Sequence, residues 1–77
     1  MTTYRAGIDI GSTTVKLVVL NHENKIIYGE YRRHYSDIQK TLSILLKGVY
    51  EELGDVSLNI RITGSGALAL SQHLNLE

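Results

Sequence analysis

Residues 4–21 read YRAGIDIGSTTVKLVVLN, from Tyr4 to Asn21. Two apolar runs flank a Gly-Ser-Thr-Thr bend, with one carboxylate, Asp9, just before it and one ammonium, Lys16, just after. In the first run the apolar side chains fall on Tyr4, Ala6, Ile8 and Ile10, while Gly7 and Asp9 take the other face. That period of two is the signature of a strand, which should end at Gly11. Val15 to Leu20, VKLVVL, is β-branched and apolar apart from Lys16. It reads as a strand covered on both faces except at its first turn.

Outward from this hairpin, Asn21 to Lys25 (NHENK) is a polar turn that reverses the chain. Lys25 to Tyr35 follows as a third strand whose alternation weakens toward its end. The period then changes. Ile38, Leu42, Leu45, Leu46, Val49 and Leu53 recur at threes and fours, one stripe of a helix. Ser36 with Gln39 three residues on reads as a capping box. Gly54 is the natural stop, because glycine tolerates the left-handed conformation at a helix end. Gly48 lies inside the helix at a cost of about 1 kcal/mol relative to alanine, which close packing on a sheet would explain. Ser57 to Thr63, SLNIRIT, alternates again as a fourth strand, and from Ala67 a second helix should begin.

The order is β-β-β-α-β-(α). A helix between strands three and four implies a crossover that leaves strand four parallel to its neighbour. Strand four is most economically placed beside strand one, in the sheet order 3-2-1-4. That α/β arrangement opens a ribonuclease H-like (actin-like ATPase) domain, and the chain is expected to be a truncated piece of one.

Seventy-seven residues make at most one domain with a marginal core. Eight basic and eight acidic residues cancel, so no general field draws the chain to nucleic acid or to an anionic membrane. With no cysteine, neither a disulfide nor a cysteine metal site can form within it. His22, His34 and His73 fit no ligand spacing and read as surface residues, and Arg32-Arg33-His34 as a solvated strand end. No signal peptide and no membrane-length apolar run is present, so a cytoplasmic protein is the default.

The bend has two readings. It can be an ordinary hairpin turn, with Asp9 bonding turn amides. It can also seat a phosphate chain. Gly11 would let the backbone turn tightly, and the amides of Gly11, Ser12, Thr13 and Thr14 would converge on phosphate oxygens. Lys16 would supply a compact positive charge. Asp9 would hold a hydrated Mg²⁺, an ion that keeps several waters and takes only one or two carboxylates. A Walker loop is excluded, because it needs Gly-Lys-Ser/Thr and a following helix.

DIGSTTVK, Asp9 to Lys16, resembles the first phosphate loop of the actin, Hsp70 and sugar-kinase superfamily. There Asp-x-Gly opens the hairpin and a basic residue sits seven positions after the Asp. AGIDIGSTTVKLVVL together with ITGSGALALSQHL resembles, more narrowly, the ATPase activators of 2-hydroxyacyl-CoA dehydratases and benzoyl-CoA reductases. The likeness runs from Arg5 to about Leu74, and looks most like the N-terminal end of the large, multi-part members. It implies an N-terminal portion, residues 1–77, of an actin-like ATPase domain. It also implies ATP and Mg²⁺ as cofactors, with Asp9 positioning the metal, Gly11 to Thr14 cradling phosphates and Lys16 neutralising them. Gly64, Ser65 and Gly66 would form a second loop near the cleft, although a plain strand-to-helix connection fits those residues equally well. The family often carries a further glycine where this chain has Ala67. Family members are homodimers that hold a 4Fe-4S cluster and drive an electron into a dehydratase or reductase. Neither the cluster cysteines nor the other half of the ATP cleft is in this chain. Alone it should be no catalyst and bind MgATP weakly or not at all.

Three other readings make distinct chemical demands. A nuclease of the same fold needs several convergent carboxylates, and strand four ends without one. A sugar kinase or scaffold ATPase of the same superfamily fits the first loop as well as an activator does. A self-associating module follows if a sheet edge is open.

Overall fold

A computed structural model of the chain describes residues 2–64. The elements are β1 (Thr3–Ile10), β2 (Thr14–Leu20), β3 (Ile26–Arg33), α1 (Ile38–Leu53) and β4 (Ser57–Thr63). They form one four-stranded sheet in the order β3-β2-β1-β4. β2 is antiparallel to β1 and β3, and β4 runs parallel to β1. This is the expected ribonuclease H-like opening. The second helix expected from Ala67 lies outside the described residues.

Alternation divides each strand between two faces. Ala6, Ile8 and Ile10 of β1 and Val15, Leu17 and Val19 of β2 are buried under α1, which brings Leu42, Leu45 and Val49 onto them. The helical stripe read from the sequence is therefore the packed one, with Ile38, Leu46 and Leu53 partly buried at its margins. A fully buried leucine such as Leu45 contributes about 1.5–3 kcal/mol by leaving water. α1 packs over β2 and β3. Ile60 of β4 pairs with Ala6 and shares the helix face, yet it stays 41% exposed.

The opposite face carries Arg5, Gly7 and Asp9 of β1 and Lys16, Val18 and Leu20 of β2. Val18 and Leu20 are only half-buried there. The expectation that β2 is covered on both faces therefore fails among the described residues, where α1 is the only helix and lies on one side.

Three local expectations change at the β3–α1 junction. β3 ends at Arg33 rather than Tyr35, because Tyr35 and Ser36 take positive φ values of 48° and 64°. The Asp37 amide donates to the His34 carbonyl at 2.7 Å, closing a tight turn over them. Ser36 is thereby used in the turn and is not the helix cap. Asp37 is: its Oδ1 accepts from the Lys40 amide at 3.1 Å. Gly54 ends the helix as expected, with φ 80° and its amide donating to the Tyr50 carbonyl at 2.9 Å. Gly48 faces the Tyr28 phenol, and a β-carbon there would run into its hydroxyl. Close approach of helix and sheet thus accounts for this glycine.

Candidate functional site

Strand pairing alone assembles the chemistry. Asp9 of β1 is the cross-strand partner of Lys16 on one side and of Thr63 on the other. All three are exposed, on the face opposite α1. A hollow of about 360 Å³ lies over them, lined also by Gly7, Val18 and Arg61. Asp9 is not turned into the core. Its Oδ1 stands 3.5 Å from the Thr63 hydroxyl, a contact at the outer limit of a hydrogen bond, so among the described residues its acceptor capacity is largely open.

The segment after β4 closes on the same point. Gly64 has φ 99°, where non-glycine residues are strained. A β-carbon there would strike the Ile10 carbonyl and come within 2.7 Å of Asp9 Oδ1. Backbone thus approaches the carboxylate where no side chain fits. Ser65 and Gly66 lie outside the described residues.

The bend itself departs from the sequence reading in two ways. The Gly11 amide is not open to a ligand, since it donates to the Thr14 carbonyl at 2.8 Å. Nor does Gly11 have a positive φ, and a β-carbon on it would make only ordinary contacts with Thr14, at 3.5 and 3.6 Å. The conformational demand for glycine falls on Gly64 instead. Among the described residues no hydrogen bond occupies the Ser12 or Thr13 amide. Both residues are exposed, and the Thr14 hydroxyl stands at the base of the bend.

One residue was misread. His34 is 7% exposed, not a surface residue. Its ring accepts from the Ser36 amide at Nδ1, 3.0 Å, so Nδ1 carries no proton. Nε2 then bears the hydrogen and donates to the Gly11 carbonyl at 3.0 Å. The His34 amide in turn donates to the Thr13 carbonyl at 2.9 Å. The signal that would have found it is alternation. Tyr28, Glu30 and Arg32 line the helix side of β3, and His34 is next in that series.

A lone exposed carboxylate with a neighbouring hydroxyl fits a magnesium ion that keeps most of its waters and shares oxygens with a phosphate. Among the described residues no group of three potential ligands exists to cage a metal outright. A 4Fe-4S cluster does not fit this chain, which has no cysteine to bind it. Among the described residues no helix is long and apolar enough to cross a membrane.

The fold is ribonuclease H-like, at the scale of four opening strands in the order β3-β2-β1-β4 and one helix. A solved structure from Sinorhizobium meliloti, assigned as a 2-dehydro-3-deoxygalactonokinase, superposes with a TM-score of 0.64 at 17% identity. The match covers 82% of this chain and 21% of that one, so the chain spans about a fifth of that protein's length. At this identity the likeness concerns the fold. No family model matches the sequence, and no curated protein matches it either.

Proposed function

We propose that residues 1–77 are the N-terminal portion of an actin-like ATPase domain and carry its first phosphate-binding hairpin and metal-positioning carboxylate. The observation that carries this reading is the row Thr63–Asp9–Lys16 beside a bend whose Ser12 and Thr13 amides have no partner among the described residues. The Ser12, Thr13 and Thr14 amides and hydroxyls receive phosphate oxygens. Lys16 sets a point charge beside them, and Asp9 would hold a hydrated Mg²⁺, which would supply charge neutralisation of the phosphates. Gly64 brings a second backbone segment to the same place, and Ser65 and Gly66, outside the described residues, would extend that loop.

Within that class we favour an ATP-dependent activator of a 2-hydroxyacyl-CoA dehydratase or benzoyl-CoA reductase, on the paired motifs GIDIGSTTVK and ITGSGALAL. The cluster and the adenosine-binding half would come from the remainder of the parent chain, and the parent would act as a homodimer. The fold neighbour favours a second reading, a sugar-kinase-like ATPase of the same superfamily. Sequence beyond Glu77 separates them, through paired cysteines for the activator and a sugar-contacting acid for the kinase.

The site reading is tested by titrating MgATP and metal-free ATP into the chain and its Asp9→Asn variant. Weak binding that gains from Mg²⁺ in the wild type, and loses that gain in the variant, is expected. Equal gain from Mg²⁺ in both overturns the assignment of Asp9.

A further inference from the structure

We infer that His34 is a positioning residue for the phosphate-binding bend, aiming its amides by holding its carbonyls. The inference rests on the proposed reading of that bend.

A peptide unit is planar and trans, so its C=O and N–H point in opposite directions. The ring of His34 fixes the Gly11 carbonyl at 3.0 Å, and that carbonyl shares a peptide unit with the Ser12 amide. His34 lies on the α1 side of the sheet, whereas Asp9 and Lys16 lie on the other. With its carbonyl drawn toward the buried ring, the Ser12 N–H is directed away from α1, toward the side of the carboxylate and the ammonium. The His34 backbone does the same one unit on. It holds the Thr13 carbonyl at 2.9 Å, which turns the Thr14 N–H away from β3 and into the mouth of the hairpin. A carbonyl oxygen facing a phosphate would repel it. The same two bonds therefore remove two acceptors and present two donors.

The ring is itself locked. Ser36 N–H on Nδ1 leaves Nε2 as the donor, which is the tautomer the Gly11 carbonyl requires. That lock depends on Tyr35 and Ser36 holding left-handed backbone, a conformation that strains a non-glycine residue. A surface turn that did nothing but connect β3 to α1 would favour Asn or Gly at these places.

NMR on the 77-residue chain tests this in the wild type, in His34→Phe, which keeps ring volume, and in His34→Gln, whose amide nitrogen can replace the Nε2 donor. The wild type should show the Nε2–H tautomer and a Ser12 N–H order parameter near about 0.85. In His34→Phe that parameter should fall below about 0.6. His34→Gln should restore it, with the α1 and β4 amides unmoved in all three. Millimolar magnesium triphosphate should shift Ser12 and Thr14 in the wild type and in His34→Gln, and several-fold less in His34→Phe. An Nδ1–H tautomer, or a Ser12 amide equally ordered in His34→Phe, overturns the inference. If magnesium triphosphate moves nothing in the wild type, the phosphate reading falls, and the order parameters alone still decide whether His34 positions the bend.

Discussion

The two hairpin turns of this small sheet handle their backbone groups in opposite ways. At Asn21 to Lys25 the turn satisfies four of its five amides internally. Asn21 Oδ1 accepts from the Glu23 amide at 2.8 Å and the Lys25 amide at 3.1 Å. The Asn21 and Asn24 amides donate to the Lys25 and Asn21 carbonyls, at 2.9 and 3.0 Å. Asn24 takes the positive φ of 64°, a conformation Asn tolerates well. At Gly11 to Thr14 three carbonyls, those of Gly11, Thr13 and Thr14, are bound by His34 and Gly11, while the Ser12 and Thr13 amides are left without a partner among the described residues. Both turns join antiparallel strands and both are polar. What distinguishes a connecting turn from an anion seat is which half of the peptide group the protein has already used.

Substitutions can break or sharpen that contrast, and the largest effect should come from Gly64→Ala. The added β-carbon meets the Ile10 carbonyl and Asp9 Oδ1 at positive φ, so stability should drop by on the order of 3 kcal/mol in urea unfolding. Nucleotide-induced shifts at the bend should vanish with it. Asn21→Ala attacks the self-satisfied turn instead. It should cost about 1 kcal/mol and leave MgATP shifts at Ser12 and Thr13 intact. Lys16→Met reverses that pattern, with stability within about 0.5 kcal/mol of wild type and phosphate-induced shifts reduced several-fold.

The smallest effect lies away from both turns. Burial, with Glu30, Glu52 and Glu51 nearby, pushes the Tyr28 phenol above its ordinary value of 10.0. The folded chain then holds that proton more tightly than the unfolded one. The contribution is complete below pH 10.0 and is lost as pH rises through the raised folded value. Stability should decline over that alkaline range, and Tyr28→Phe should flatten the decline in thermal unfolding scans.

Much of this architecture was legible in the chain. The alternation of Ala6, Ile8 and Ile10 and the three-four spacing of Leu42, Leu45 and Val49 name their own faces, because burial enforces the period. Strand order followed from the helix between β3 and β4. The facing of Asp9 and Lys16 was legible too, once the bend between them was read as a hairpin. What failed was local and depended on three-dimensional competition. Ser36 and Asp37 are both good helix caps, and the choice fell to Asp37 because the turn had already taken Ser36. Gly11 and Gly64 look equally suited to a tight turn, but only Gly64 meets another strand's backbone too closely to admit a β-carbon. His34 looked solvated because it ends a basic run. The alternation of Tyr28, Glu30 and Arg32 places it on the helix side, but its partner Gly11 lies far off in sequence, and no local pattern encodes that contact.

If the first hairpin, and not the second, receives a nucleotide's phosphates, amide chemical-shift mapping during a millimolar MgATP titration will register it. Weak binding is expected, with shifts confined to Ser12 through Lys16 and to Gly64, and none at Asn21 through Lys25. Shifts concentrated at Asn21 through Lys25, or spread evenly over the sheet, would contradict it.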